Sequence, residues 1–336
     1  MKEIDEILES QIGNMGGEEA GSEEVEKSPT LGKAKYFGSK NKADKKEESG
    51  NDTPIRIGWI EMNREEFGER GQFYPEDWKF YIKAATVDDI KNWSSIDEER
   101  PDQVLEVLNE MLRNNLKIVD ADGANINCLK INDWDRFFFL CKIREYTFYK
   151  GEKEISYDGE CPNCEHKVTY KLNSNTLSYE MPDQDLINRY YDNENRCWVV
   201  DPAEYDVKGP VIKFYLPTVE KDTVIFRRSL AKARDKKKLN ETFLKFLPWL
   251  MSKVSLRDDN VNDHFIAEAE GVYKSWNMDM FGLAEEILRN ITVTQKDKLS
   301  IICPHCGEEV DGDIQFPDGL RGLFTVQGGR QKFGKK

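Results

Sequence analysis

Apolar positions are sparse over the first 53 residues and dense after them. Residues 1–53 are rich in Glu, Lys, Gly and Ser, with Tyr36 and Phe37 as their only aromatic side chains. Such a stretch buries too little apolar surface to offset its ordering entropy, so a disordered charged arm is expected. Beyond it, β-branched and aromatic runs at 55–62 (IRIGWIEM) and 79–85 (KFYIKAA) predict short strands. Thr86 followed by Asp88 and Asp89 has the pattern of an N-cap with acids in the first helical turn. Pro101 then opens a stretch in which Val104, Val107, Leu108, Met111 and Leu112 recur at helical spacing. Residues 132–148 (NDWDRFFFLCKIREYTF) are apolar almost all round, including Trp134, Phe137, Phe138 and Cys141, which predicts a buried, central helix. Asp133 and Asp135 read as caps of that helix, with pairing to Arg136 or Arg144 as the alternative. A strand leads into Cys161, a second (KVTYKL) leads out of its turn, and short helical and extended pieces continue to about residue 210.

The same order returns from residue 211. VIKFYLPTVEKDTVIF (211–226) echoes DWKFYIKAATVDDIKNW (77–93) in its KFY strand and in the Thr-Val pair that opens a helix. Two further helices are predicted at LNETFLKFLPWLMSKV and VNDHFIAEAEGVYKSW. Ile143-Arg144 and Leu288-Arg289 are then each followed by a Thr, a strand and a CPxC turn. Features that keep their order while their spacing drifts are what a duplication with loop insertions produces. The expected architecture is α+β, with two repeated, mainly helical halves at 54–180 and 211–326, a linker at 181–210 and a flexible tail at 327–336.

Four of the seven cysteines lie in the two CxxC pairs, Cys161 and Cys164, and Cys303 and Cys306. An odd count with this spacing fits metal binding in a reducing compartment better than a disulfide framework. Thiolates have the charge and softness that Zn2+ prefers, and a two-residue spacer lets one tight knuckle present both sulfurs. Pro162 and Pro304 fix the turns, and Gly307 supplies a position for positive φ, where the first knuckle carries Glu165 instead. Strand-like sequence on both sides of each pair makes two hairpins, and two such hairpins facing one another form a zinc-ribbon-like site of four cysteines. Zn2+ is the expected occupant, and iron would use the same ligands. The remaining readings are hairpin tips with unliganded thiols, or His166 in place of one cysteine. Redox chemistry is disfavoured because neither pair opens a helix that would lower a thiol pKa. A closed four-cysteine site has no open coordination position, so the metal would be structural.

Net charge is −14, which argues against a protein that grips phosphate backbones. No run reaches the roughly 18 apolar residues that span a bilayer; the nearest, FLKFLPWLM (243–251), contains Lys245 and Pro248. The amino terminus has no signal-peptide pattern, so cytosolic synthesis is expected. HExxH, GxSxG, GxxxxGK[ST] and GxGxxG are all missing, so neither an enzyme nor a small-molecule substrate is expected. His305 reads as a turn residue, His264 as a surface helical residue and KARDKKK (232–238) as a solvated helix end. Arg144 and Arg289 read as carbonyl-bonding residues near the knuckles. FPDGLRGLF (316–324) has two readings: Pro317 and Gly319 turn the chain so that Phe316, Leu320, Leu323 and Phe324 meet a partner, or these residues fold back onto the second hairpin.

The order of a TV helix start, an apolar helix ending in IREYT, CPNC, LPTVEKD and finally CPHCGEEV with IQFPDGLRGLF resembles the baseplate hub assembly proteins of contractile-tailed, T-even-like bacteriophages. The similarity covers roughly residues 55–326. In that family the first cysteine pair follows a helix with an Asp near its start and an Arg near its end, matched here by Asp133 or Asp135 and by Arg144. The second pair precedes an apolar segment, matched by Phe316, Leu320, Leu323 and Phe324. The long charged arm and several insertions depart from the family pattern. The resemblance implies a non-enzymatic protein that binds hub or tape-measure proteins while the baseplate is built in the host cytoplasm, whether or not it stays in the virion tail. The alternative is a nucleic-acid-binding zinc-ribbon accessory protein, with Lys167, Tyr170 and Lys171 as its basic and aromatic face.

Overall fold

Strands of period-two burial and helices of one apolar stripe pack around two cores in the computed structural model, which describes residues 58–148, 153–234 and 241–324. The arm expected at 1–53, the tail expected at 327–336 and the end of the basic run after Arg234 lie outside the described residues. The first core rests on an antiparallel sheet of β1 (Ile60–Glu61), β2 (Lys79–Ile82), β3 (Leu116–Val119) and β4 (Asn125–Ile126), in that order. In β2 the buried Phe80 and Ile82 alternate with Lys79 and Tyr81, as a half-buried strand requires. Helix α1 (Val87–Ser94) begins at a capping box: Asp89 N donates to Thr86 Oγ1, and Thr86 N donates to Asp89 Oδ2. Helix α2 (Pro101–Asn115) starts at its proline and buries Val104, Leu108, Met111 and Leu112 along one face. Helix α3 (Arg136–Thr147) is central, with every residue from Phe137 to Arg144 buried. Phe67 collects Tyr74, Phe80, Phe138 and Phe139 around it at ring separations of 4.9–5.6 Å.

The second core sits on a sheet of order β10 (Ile212–Tyr215), β9 (Cys197–Val200) and β8 (Tyr191–Asp192). Around it are α4 (Gln184–Tyr190), α5 (Val219–Arg234), α6 (Glu241–Leu250), α7 (Asp259–Ser275) and α8 (Met278–Ile291). The segment 181–210, expected as a linker, does hold a short helix and extended pieces. They do more than link: Tyr190, Trp198 and Val200 belong to the second core. The halves share some local detail. Thr218-Val219 opens α5 as Thr86-Val87 opens α1, and Thr147 and Thr292 each return a hydroxyl bond to the carbonyl four residues back. Their sheets are paired differently, since β2 lies between β1 and β3 whereas β10 pairs with β9. Among the described residues no helix is long and apolar enough to cross a membrane.

A polar seam joins the two cores. Asp135, expected to cap α3, forms a buried ion pair with Arg70 and accepts a 2.7 Å bond from the Tyr74 hydroxyl. The reason is local: Asp135 ends a 3-10 turn with helical φ and ψ, so its carboxylate is not placed to accept from the first turn of α3. The Tyr74 oxygen accepts from Asn132 N, and Asn132 Oδ1 accepts from Arg196 Nη2 at 2.6 Å. Burial raises the Tyr74 pKa far above its ordinary value, which keeps the phenol protonated and donating. Asp133 instead accepts from the adjacent Trp134 N, and burial beside Asp222 pushes its pKa up to about 6. Arg136 pairs with Asp222 rather than with either acid of the NDWD stretch.

Asp135→Ala leaves the Arg70 guanidinium buried without its counter-charge and is expected to destabilise the fold by about 3–5 kcal/mol, measured by urea denaturation. Lys91→Ala, which removes an exposed partner of Asp88, is expected to change stability by less than about 0.5 kcal/mol in the same assay. Equal effects of the two substitutions would contradict this ordering.

Candidate metal centre

Two antiparallel hairpins carry the CxxC pairs. In the first, β5 (Ile155–Glu160) pairs with β6 (Lys167–Leu172); in the second, β11 (Lys298–Ile302) pairs with β12 (Glu309–Asp313). Their tips repeat one hydrogen-bond pattern. Cys161 N donates to His166 O at 2.9 Å and Glu165 N to Cys161 O at 2.8 Å. Cys303 N donates to Glu308 O at 2.8 Å and Gly307 N to Cys303 O at 3.0 Å. The residue after the second cysteine is left-handed in both, with φ 77° at Gly307 and φ 57° at Glu165. Gly307 was expected to serve this way; Glu165 does the same work with a Cβ, at a cost of about 1–2 kcal/mol.

The four expected ligands come together. The sulfurs of Cys161, Cys164, Cys303 and Cys306 all lie within 4.8 Å of one another, and the Cys161–Cys306 and Cys164–Cys303 pairs are each 3.7 Å apart. A tetrahedron with metal–sulfur bonds of about 2.3 Å has edges of about 3.8 Å, so the donor set fits a four-coordinate ion. Cys161 and Cys303 are buried, Cys164 is half-buried and Cys306 is exposed. The amides of Cys306 and His305 bond the Cys303 sulfur and pull its pKa down to about 6. The His166 amide stabilises the Cys164 thiolate in the same way, but burial and the neighbouring Cys161, Cys306 and Cys303 sulfurs outweigh it and push Cys164 up to about 12. Crowding thus lets one sulfur ionise at the expense of another, a conflict that a cation among them would relieve.

Sequence reasoning missed what presses the hairpins together. Tyr170 is buried and stacks on Tyr157 at 5.3 Å, and the Tyr157 hydroxyl donates to Asp313 O across the interface. A Cβ added at Gly312 would come within 2.3 Å of the Tyr170 ring, and one at Gly159 within 2.8 Å. Both glycines leave room for that ring, and a glycine inside a strand was the available signal. His166 does not stand in for a cysteine: its ring stacks on His305 at 4.4 Å, one imidazole from each tip. Burial also removes Tyr170 as a stacking surface for nucleic acid, leaving Lys167 and Lys171 exposed on the outer edge of β6.

Of the two readings of Phe316, Leu320, Leu323 and Phe324, presentation to a partner and folding back, burial corrects the exposed one. Leu320, Leu323 and Phe324 are buried, and Phe316 is half-buried against Phe137 at 5.4 Å. Gly319 turns the chain at φ 62°, as expected, and the segment then joins the first core, where its ring and hydrogen-bond contacts are with the first half. Phe324 lies edge-on to Trp93 at 4.8 Å, Trp93 Nε1 donates to Leu320 O at 2.7 Å, and Arg321 Nε donates to Ile96 O at 2.8 Å. The large apolar rings of α1 and α3 need this cover more than solvent-exposed residues 316–324 would need a partner. Arg144 bonds carbonyls, as expected, at Leu323 (2.6 Å) and Lys153 (3.2 Å), whereas Arg289 is exposed.

A family model described as T4 bacteriophage base plate protein matches residues 72–320. No curated protein and no solved structure matches the chain.

Glu165→Gly is expected to raise stability by about 1 kcal/mol, seen as a higher urea midpoint at unchanged slope, because glycine adopts the left-handed turn without a Cβ clash. Gly312→Ala drives a methyl group into Tyr170 and is expected to expose Cys161 and Cys303 to faster modification by a thiol reagent. Unchanged midpoint and unchanged thiol reactivity would count against these assignments.

Proposed function

The chain belongs to the T4 bacteriophage base plate protein family, and we propose that it acts there as a non-enzymatic hub subunit or hub assembly factor held together by a structural zinc ion. Family membership implies a structural role in the phage tail, in contact with other baseplate proteins. The observation that carries the finer reading is the closed four-sulfur cluster. Cys161, Cys164, Cys303 and Cys306 would hold the ion, and with all four positions taken by thiolate it offers no site for water or substrate. Its chemistry is that of a cross-link. Cys164 and Cys303 are 139 positions apart, and closing such a loop costs about 4 kcal/mol. Structural zinc in small peptides contributes on the order of 10–16 kcal/mol, more than enough to offset closure.

The repeated order of KFY strand, Thr-Val helix start and CPxC hairpin supports an internal duplication, with halves at 54–180 and 211–326 each contributing one knuckle. A scaffold made this way presents a rigid acidic body to hub or tape-measure proteins during assembly in the host cytoplasm. Iron in the same ligand set is the competing occupant, and a coloured iron–thiolate absorption separates it from colourless zinc.

Metal analysis of the purified protein is expected to give about one zinc per chain. Cys161→Ser and Cys303→Ser are each expected to release it and to lower the melting temperature; full metal retention in either variant would sink the shared site. Capture of the protein from infected cells is expected to recover tail proteins, and their absence would remove the baseplate hub reading while leaving the metal result untouched.

A further inference from the structure

Each CxxC pair holds one buried and one more accessible sulfur: Cys161 and Cys303 are each 1% exposed, Cys164 is half-buried and Cys306 is exposed. The two sulfur contacts at 3.7 Å run between the hairpins, from Cys306 to Cys161 and from Cys164 to Cys303. Each therefore joins an accessible sulfur of one half to a buried sulfur of the other. A disulfide bond is about 2.0 Å long, so a small displacement of the hairpin tips closes either pair. Contacts that do not involve an ion hold those tips face to face. The His166 and His305 rings stack at 4.4 Å, and the Tyr157 hydroxyl donates to Asp313 O at 2.8 Å. Cys128, Cys141 and Cys197 are buried and lie outside the cluster, so they do not compete for these partners.

We propose that the cluster is a peroxide-sensitive site at which disulfides between the hairpins, Cys161–Cys306 and then Cys164–Cys303, replace the metal as the tie between the halves. This deepens the metal reading and rests on it for the tie that is replaced. Hydrogen peroxide is the oxidant, and exposure makes Cys306 the first sulfur it meets. The Cys306 sulfur attacks one peroxide oxygen, the O–O bond breaks, and the leaving hydroxide takes a proton from solvent to become water. The Cys161 sulfur then attacks the sulfenic acid sulfur at Cys306: the S–S bond forms, the S–O bond breaks, and the second oxygen leaves, protonated, as water. Two thiolates thus give up two electrons, and one peroxide with two protons becomes two waters. A second peroxide repeats the sequence at Cys164 and Cys303, and a site without thiolates no longer holds the metal. Links within the knuckles would consume the same peroxide and leave the halves untied. Crossing links enclose 145 and 139 positions of chain, so they still constrain the unfolded state. A chain carried from a reducing cytoplasm into oxidising surroundings would keep its halves joined in both.

The test uses the full, metal-loaded chain and hydrogen peroxide alone, followed by iodoacetamide and by trypsin without reductant. Trypsin cuts after Lys153, Lys167, Lys298 and Arg321, so each knuckle lies whole on its own peptide. Crossing links join the two peptides into one species, whereas links within the knuckles leave two separate peptides that each lack two hydrogens. With an equimolar amount of peroxide the joined species is expected to carry the Cys161–Cys306 bond, with Cys164 and Cys303 alkylated. Dimedone added with the peroxide is expected to mark Cys306. A second equivalent is expected to add the Cys164–Cys303 bond and to complete the release of zinc, read with a zinc-binding dye. Separate internally linked peptides, a first dimedone mark at Cys161 or Cys303, sulfinic acids without a joined species, or a cluster inert to peroxide would each overturn the proposal. Zinc content before peroxide tests the metal reading, and disulfide connectivity after it tests this one.

Discussion

Four sulfurs crowded within 4.8 Å of one another are the constraint on which the rest of the chain depends. Two thiolates 3.7–4.8 Å apart repel by about 4 kcal/mol at an effective dielectric constant near 20; two of the pairs in the cluster are at 3.7 Å and every pair is within 4.8 Å. Either most of the sulfurs keep their protons or a cation sits among them. Backbone amides aimed at the sulfurs favour the ionised form, which a bound cation would require. The contacts between the hairpins serve this end: the Tyr157 hydroxyl on Asp313 O and the Tyr170 ring over Gly312. The hairpins come from opposite halves, so the chain must fold globally before the site exists.

Between the cores, charged and polar groups replace the continuous apolar packing of an ordinary domain interior. Arg70, Asp135, Tyr74, Asn132 and Arg196 form one connected set, each buried group bonded to the next. Arg70 also lies over the Tyr179 ring at 3.7 Å, which joins β7 (Tyr179–Glu180) to the seam. Buried pairs of this kind add little net stability over well-packed hydrocarbon, because desolvation offsets attraction. Their value is directional: the ion pair and these hydrogen bonds fix how the 181–210 segment, through Arg196, sits against the first half. The same logic extends to Lys221, whose ammonium donates to Leu216 O and Pro248 O and whose pKa burial pulls down to about 7.

Much of this was legible where the determining interactions are local. The Thr86–Asp89 capping box, the Pro101 helix start, the buried face of α3 and the left-handed position at Gly307 each depend on residues a few places apart. The pairing of the two CxxC motifs was legible for a different reason, since a tetrahedral ion needs four ligands and the sequence has just two such pairs. Asp135 was misread because its partner Arg70 lies 65 positions upstream and nothing near Asp135 points to it. The strands β8 and β9 were underestimated because they are short and gain their pairing from β10, which follows them. Glycine at 159 and 312 reads as a weakness of the strand until the ring beside it is known.

The segment 316–324 shows why apolar sequence does not distinguish a surface from a core. Its pattern suits insertion into a partner and suits closure over Trp93 equally well, and the deciding fact is that α1 and α3 offer an uncovered apolar face of the same chain at no translational cost. Once closed, Leu320 and Leu323 both line a cavity between the cores. The segment therefore shapes a concave site in place of a protruding one. A concave wall fixed by Trp93 and Arg144 is held in position before any ligand arrives, whereas a protruding loop must be ordered at the moment of contact. Burial of the expected contact residues thus makes Leu320 and Leu323 fixed parts of the cavity wall.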